Sequence, residues 1–181
     1  MRILVTGPQG SGKSTQAILL AQDLGVPYIA AGEIFRNLTL IDDSQKVEKI
    51  KNAMTRGELI PIDLASEIIN KRLKQSDCER GFVLDGFPRN LAQIQKLTTL
   101  IERAVYLRVS DETCVRRLVA RKRLDDRENL IKTRLAIYHQ ETAPLLEIFK
   151  KQNILLEVDG EKTVVQIHKD IISRLNLNDI H

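Results

Sequence analysis

A glycine-rich loop between an apolar strand and an amphipathic helix is the feature that most limits what this chain can fold into. The strand candidate Arg2–Thr6 leads directly into GPQGSGKS at residues 7–14, a full match to the pattern G-x-x-x-x-G-K-[ST]. Such a loop needs glycine because its backbone N–H groups wrap closely round a phosphate, where a Cβ would block the approach or forbid a positive φ. The motif therefore predicts an ATP or GTP site directly after the first strand.

Apolar runs of strand length alternate with longer amphipathic stretches along the rest of the chain. We expect further strands at residues 81–85, 104–109 and 154–158, a weaker candidate at 26–29, and a last helix at 163–175. Strands that are apolar on both faces and alternate with helices are typical of a parallel sheet covered on both sides. The sequence thus predicts an α/β fold with a five-stranded parallel sheet and helices on both faces, of the P-loop NTPase type.

Composition and charge exclude several classes of protein. The longest uninterrupted apolar run has five residues, 17–21, against ~18 or more for a membrane span, and the amino-terminal apolar stretch is too short for a secretory signal. A net charge of +4 suits anionic partners, but aromatic residues make up only 4% of the chain, with no Trp to stack on single-stranded nucleic acid. We therefore expect a cytoplasmic protein that binds small phosphates and neither membrane nor nucleic acid.

Several polar and charged side chains stand where bound phosphates would need them. Lys13 would neutralise phosphate oxygens, and the Ser14 hydroxyl would help to hold Mg²⁺. Asp85 ends a strand candidate, where it is placed to hold the water shell of that ion or, alternatively, to cap the helix that follows. Arg89 follows a proline-stiffened turn, from which its planar guanidinium could clamp a phosphate through two parallel hydrogen bonds. Together they predict a second anion site beside the phosphate loop.

Six arginines lie between positions 116 and 134. Phosphoryl transfer gives a protein little covalent work, so catalysis consists of aligning two polyanions and neutralising charge on the moving phosphoryl oxygens. Arg117 and Arg121 are four residues apart and share one face of the helix predicted for residues 111–122. Arg116 and Arg127 are expected on a solvated helix face. A chain that catalyses phosphoryl transfer should carry more arginines than its surface requires, as this run does.

Seven segments, spread over almost the whole chain, resemble the adenylate kinase family within the nucleoside monophosphate kinases. They are GPQGSGKSTQ, AAGEIFR, GELIP, GFVLDGFPRN, RKRLDDRENLIKTRL, YHQETAPL and VDGEK, in the family's order. The resemblance implies an enzyme that transfers a phosphoryl group reversibly from Mg·ATP to AMP, giving two ADP, with Mg²⁺ as cofactor. It also implies one domain over residues 1–181, and we expect a monomer.

The resemblance divides this domain into three parts. The core comprises residues 1–30, 57–121 and 126–181, and a helical insert at about residues 31–56 binds the monophosphate. A vestigial lid occupies about residues 122–125, since only Lys122 separates Arg121 from Arg123 where the family carries a longer segment. A lid excludes water from the phosphoryl group, so we expect raised ATP hydrolysis in this protein.

By position, the resemblance assigns three overlapping sets of site residues. The ATP-binding set is Gly10, Ser11, Gly12, Lys13, Ser14, Thr15, Arg117, Arg121 and Lys162. The AMP-binding set is Ala31, Gly32, Arg36, Glu58, Leu59, Ile60, Gly86, Arg89, Gln93, Arg123 and Arg134. The catalytic set is Lys13, Asp85, Arg89, Arg121, Arg123 and Arg134. Ser14 and Asp85 are the residues implied to hold Mg²⁺, through water.

The residues expected around the acceptor base resemble those of two different kinases. Ala31, with Asn90 after Arg89, resembles the UMP/CMP kinases, which would make CMP or UMP the acceptor. Gln93 instead resembles the amide with which adenylate kinases read the adenine edge of AMP. We weigh Gln93 more heavily, because a two-ended amide matches a purine edge whereas alanine merely removes one contact. AMP is therefore the expected acceptor.

Other functions stay open at this point. A catalytically weak nucleotide-binding regulatory protein would keep the phosphate loop and bind nucleotide without forming ADP. Other small-molecule kinases share the same loop. A nucleic-acid-binding protein with this loop would show a steep salt dependence of binding.

Overall fold

The structure of the protein, a computed structural model, describes residues 1–42, 44–121 and 128–177. A five-stranded sheet forms its centre. All strand pairs are parallel, and the strand order is β2-β3-β1-β4-β5. The strands are β1 (Arg2–Thr6), β2 (Tyr28–Ala30), β3 (Phe82–Asp85), β4 (Arg103–Arg108) and β5 (Leu155–Asp159). The predicted α/β fold with a five-stranded parallel sheet is confirmed.

The ends of β2 to β5 differ from the prediction by one or two residues, and two of these differences have a clear cause. Gly81 has a φ of 137°, and a Cβ there would lie 2.2 Å from the carbonyl oxygen of Met1, so the strand begins at the next residue. Pro27 has no N–H to donate, so it only accepts a hydrogen bond from Val83, and β2 begins at Tyr28.

Helices and turns connect the strands. The helices are α1 (Lys13–Leu24), α2 (Ala31–Ile41), α3 (Gln45–Arg56), α4 (Ile62–Leu73), α5 (Leu91–Lys96), α6 (Asp111–Arg121), α7 (Glu128–Ile137), α8 (Leu145–Lys151) and α9 (Val164–Arg174). A 3₁₀ turn lies at Ser76–Cys78 and a π-helical turn at Tyr138–Thr142. The predicted last helix starts one residue late because Thr163 caps it, in a reciprocal capping box with Gln166.

The sheet is buried on both faces, which explains why its strands are apolar throughout. Along β1, Ile3 and Val5 point to one face, where they pack with Leu20 of α1 and Ile171 of α9. Leu4 points to the other face, which is covered by helices α2 to α4 and α8. Because the faces are covered, the carboxyl ends of the strands are the open edge at which a ligand can bind.

The described part of the chain includes the predicted insert but only part of the predicted lid region. Helices α2 and α3 fall within residues 31–56, whereas residues 122–127 lie outside the described residues. The boundaries of the insert and of the lid stay predictions. Within the described residues, no helix combines the length and the apolar character needed to cross a membrane.

Candidate active site

The phosphate loop, residues 7–14, joins β1 to α1 in a conformation that glycine makes accessible. Gly7, Gly10 and Gly12 have φ values of 149°, 87° and 91°. A Cβ on Gly10 would lie 2.6 Å from the carbonyl oxygen of Cys114 in α6, so the loop approaches that helix more closely than any other residue would permit. Helix α1 begins at Lys13, and its unpaired N–H groups face the loop. Loop and helix terminus together form an anion cradle.

Lys13 carries its ammonium group into this cradle. Its Nζ donates a 3.3 Å hydrogen bond to the carbonyl oxygen of Pro8. Burial lowers the pKa of Lys13, the nearby Arg89 and Arg121 lower it further, and Asp85 opposes the shift. A desolvated cation beside two guanidinium groups is the arrangement that a bound polyanion stabilises.

Asp85 lies opposite the loop at the end of β3, buried to 6% exposure. Its Oδ2 accepts two hydrogen bonds, one from the Ser14 hydroxyl at 2.6 Å and one from the Tyr28 hydroxyl at 3.1 Å. Burial raises the pKa of Tyr28, and the Asp85 carboxylate raises it further, so the phenol stays protonated and acts as the donor. Tyr28 is not among the predicted site residues.

The surroundings of Asp85 also fit a hydrated cation. Its Oδ1 atom is buried and has no hydrogen-bond partner in the part of the chain that the structure describes. A buried carboxylate oxygen without a partner is a position for an ion or a water molecule. The hydroxyl of Ser14 and the carboxylate of Asp85 supply the oxygen ligands that Mg²⁺ prefers.

Arg89 is held in place through both its main chain and its side chain. Its Nε donates to the carbonyl oxygen of Gly86 at 2.8 Å, and its backbone N–H donates to Oε1 of Gln93 at 2.7 Å. Gln93 is itself fixed by Asn90, whose side chain caps α5 by accepting from the Gln93 N–H at 3.0 Å. Thr142 donates from Oγ1 to the Arg89 carbonyl oxygen at 2.8 Å. Arg89 therefore has little freedom to turn away from the site.

The electrostatic environment of Arg89 favours an anionic ligand. Burial lowers the pKa of this guanidinium, and the like charges of Arg134 and Arg36 lower it further, against the opposing charge of Asp85. An anion bound between these guanidinium groups would offset the electrostatic repulsion among them.

These groups line one cleft of about 320 Å³. Among the described residues, five basic side chains and three acidic ones border it, together with apolar side chains that suit a nucleoside base. The predicted site residues that line it are Gly10, Lys13, Ser14, Thr15, Gly32, Arg36, Glu58, Leu59, Ile60, Asp85, Gly86, Arg89, Gln93, Arg121 and Arg134. Tyr28 and Glu33 also border the cleft, although neither is among the predicted site residues.

Other predicted residues lie outside the lining of this cleft. Ser11 and Ala31 are fully buried, and Lys162 is exposed on the segment between β5 and α9. Arg123 lies outside the described residues, as does Lys122. The structure therefore brings most of the predicted set together, but not all of it.

Arg117 joins the phosphate loop to the segment after β5. Its guanidinium donates to the carbonyl oxygen of Ser11 at 3.3 Å and to that of Gly160 at 3.0 Å. The neighbouring Arg116 is exposed and donates to Thr113 within its own helix, in keeping with the solvated face expected for it. Arg117 and Arg116, for which different roles were predicted, thus lie in two different environments on α6.

Comparisons with known proteins agree with this geometry. Residues 5–154 match the protein family described as adenylate kinase. An adenylate kinase of Mycobacterium tuberculosis is 39% identical over 175 residues, which cover 92% of this chain and 94% of that protein. An adenylate kinase of Corynebacterium glutamicum is 38% identical over 168 residues, which cover 89% of this chain and 92% of that protein. An adenylate kinase of Mycobacteroides abscessus is 36% identical over 174 residues, which cover 92% of this chain and 94% of that protein.

Proposed function

Since the chain belongs to the adenylate kinase family, we propose that it transfers a phosphoryl group reversibly from Mg·ATP to AMP and releases two ADP. The observation that carries this proposal is the convergence of Lys13 with Arg36, Arg89, Arg121 and Arg134 on one cleft. A single nucleotide would need only part of this charge. A triphosphate and a monophosphate placed end to end would need it all, because the reaction spreads negative charge over donor, acceptor and the group in transit.

The donor side of the proposed mechanism depends on the phosphate loop. The N–H groups of the loop and of the first turn of α1 bind the terminal phosphates, and Lys13 neutralises their oxygens. We propose that Arg117 lies at the base of ATP, because it is tied to both the loop and Gly160. Lys162 would contact the same base through its backbone carbonyl.

The acceptor side depends on Arg89 and its supports. Arg36 and Arg89 grip the AMP phosphate, and Arg121, Arg123 and Arg134 neutralise charge on the phosphoryl group as it moves. The fixed position of Arg89 matters because small displacements of a positioning group reduce the rate of transfer strongly.

Gln93 is the proposed reader of the acceptor base. Its Oε1 is already occupied by the N–H of Arg89, and its Nε2 has no hydrogen-bond partner among the described residues. The free amide N–H groups can therefore donate to acceptor atoms on the edge of a purine. We propose that residues 31–56 close over this base as a helical insert.

The family uses Mg·ATP, and Ser14 and Asp85 are the residues proposed to hold the ion, through water. When bound, Mg²⁺ neutralises phosphate charge and polarises the group that is transferred. The buried Oδ1 of Asp85, which has no hydrogen-bond partner among the described residues, supports this assignment. Asp85 and Ser14 are also already connected by a hydrogen bond, so both stay on the same side of the cleft.

The alternatives weighed above are not favoured. The relatives compared here are all named adenylate kinases, which supports AMP over a pyrimidine monophosphate. A regulatory protein without turnover would not need five cationic side chains around one cleft.

A coupled assay tests the proposal directly. The protein is given Mg·ATP with AMP, CMP, UMP or dTMP, and ADP formation should be fastest with AMP. Lys13→Ala should lower kcat on the order of 100-fold or more, the scale seen when a transition-state donor is removed. The matched control is Lys132→Ala, since Lys132 is an exposed lysine that pairs with Glu128 on α7. A wild-type protein that forms no ADP with any acceptor would overturn the proposed function.

A further inference from the structure

Two hydroxyl groups donate to the same oxygen of Asp85, and only one of them belongs to the phosphate loop. Ser14 donates to Oδ2 at 2.6 Å and Tyr28 donates to it at 3.1 Å, while Oδ1 is buried without a partner among the described residues. The carboxylate is thus fixed by one oxygen and left with an unused acceptor on the other. This asymmetry depends on Tyr28, a residue of β2 outside the loop.

The register of the sheet brings Tyr28 to this position. In the pairing of β2 with β3, Tyr28 lies beside Val83 and Ala30 beside Asp85, so both residues of β2 project from the face on which Asp85 lies. Tyr28 must therefore reach about 6.6 Å along the strand, at ~3.3 Å per residue, to meet the carboxylate. Its long side chain can do so because Ala30, the residue of β2 that lies beside Asp85, is small.

Resting on the proposed function, we infer that Tyr28 is a positioning residue for the magnesium site: its hydroxyl fixes Oδ2 of Asp85, so that Oδ1 stays available to metal-bound water. Ser14 alone would leave the carboxylate held by a loop residue that is itself expected to bind the ion. A donor from β2 holds Asp85 independently of what the loop binds. Tyr28 lines the cleft but acts on the substrate only through Asp85.

Removing the Tyr28 hydroxyl should weaken the contribution of Mg²⁺ to nucleotide binding and leave the binding of the nucleotide itself unchanged. Groups that orient a metal-binding side chain typically change metal affinity by about 10- to 100-fold when they are removed. For Tyr28→Phe we expect a change in metal affinity near the lower end of this range, since the hydrogen bond from Ser14 to Asp85 remains. The phenylalanine ring keeps the packing of Tyr28 against the buried apolar cluster on the α1 side of the sheet, which includes Val5 and Leu20.

Calorimetry with a non-hydrolysable ATP analogue tests this without relying on turnover. The dissociation constant is measured with Mg²⁺ and again with EDTA, and the ratio of the two values reports how much the ion contributes to binding. Tyr28→Phe should reduce this ratio about tenfold, with the EDTA value unchanged. The matched control is Tyr106→Phe, which removes a phenol hydroxyl from β4 and should leave both values unchanged.

The possible results separate the inference from the proposed function. An unchanged ratio in Tyr28→Phe would overturn the positioning role, and so would an equal loss of affinity with EDTA, which would mean a general defect of the site. Either result leaves the AMP assay of the wild-type protein untouched. Conversely, a wild-type protein that makes no ADP would refute the proposed function while the calorimetric ratio still reported on Tyr28.

Discussion

Thr142 donates a hydrogen bond from Oγ1 to the carbonyl oxygen of Arg89 over 2.8 Å, across 53 residues of sequence. Thr142 ends the π-helical turn Tyr138–Thr142, in which the N–H of Ala143 bonds to the carbonyl oxygen of Tyr138 at 2.8 Å. The extra residue of a π turn rotates the side chains that follow it, and such turns are frequent at functional sites. Here the turn places a hydroxyl group on the backbone of the arginine proposed to grip AMP.

Removing this hydroxyl should weaken the use of AMP more than that of ATP. Thr142 is buried, so Thr142→Val leaves the carbonyl oxygen of Arg89 without its donor at a cost of about 1–3 kcal/mol. We expect the KM for AMP to rise about fivefold or more, the KM for ATP to stay within about twofold, and the free energy of unfolding to fall. Steady-state kinetics and urea unfolding measure these effects. Thr142→Ser keeps the hydroxyl and should retain the wild-type KM, and an unchanged KM in Thr142→Val would refute the positioning role.

A second prediction concerns Gly10, where conformation and space act together. A non-glycine residue in the left-handed region costs about 1–2 kcal/mol, and at Gly10 the new Cβ would also collide with the Cys114 carbonyl oxygen at 2.6 Å. Gly25 has a φ of 60° but open space around it, so Gly25→Ala is a control for backbone strain alone. We expect Gly10→Ala to lose clearly more free energy of unfolding than Gly25→Ala, and to lose ATP binding as well. Equal losses in urea titrations would show that α6 yields to the added methyl group.

Much of this fold was predictable because the information for it is local. The β1 strand Arg2–Thr6 was predicted with its observed ends, and the phosphate loop follows from one continuous motif whose glycines have the expected positive φ values. The β2 strand was predicted least well, as residues 26–29, since Pro27 cannot take part in the hydrogen bonding of a ladder. In a strand of only three residues, the local sequence pattern is too short to show that Pro27 lies outside the strand.

The contacts that position the site residues were not predictable in this way. Tyr28 and Asp85 are 57 residues apart, and they meet only because β2 lies next to β3 in the sheet. Neither strand carries a pattern that specifies its neighbour. Thr142 similarly depends on a π turn, for which the sequence offers no periodic signal. The chemical groups of the site can be read from motifs, whereas the residues that orient them depend on tertiary structure.

A third prediction concerns the link that Arg117 makes between the phosphate loop and the segment after β5. One guanidinium bonds two carbonyl oxygens, those of Ser11 and Gly160, whereas the single ammonium group of lysine cannot span both in the same plane. A hydrogen bond to a charged group is worth about 1.5–3 kcal/mol, so Arg117→Lys should raise the KM for ATP about tenfold and leave the KM for AMP nearly unchanged. Arg116→Lys on the exposed face of the same helix is the control. Equal effects of the two substitutions would argue against a specific role of Arg117.

The short connection between Arg121 and Arg123 leads to the last prediction. A longer lid excludes water from the phosphoryl group, whereas the lid predicted for this chain is vestigial, at about residues 122–125. We therefore expect ADP release from Mg·ATP in the absence of AMP, at a rate well below that of transfer but above that of Lys13→Ala. Lys13→Ala is the control because its preparation would contain the same contaminating ATPases but lack the activity of the proposed site. ADP release that is no faster than in this variant would mean that the cleft excludes water without a lid, and the helical insert would then be the element to test for that role.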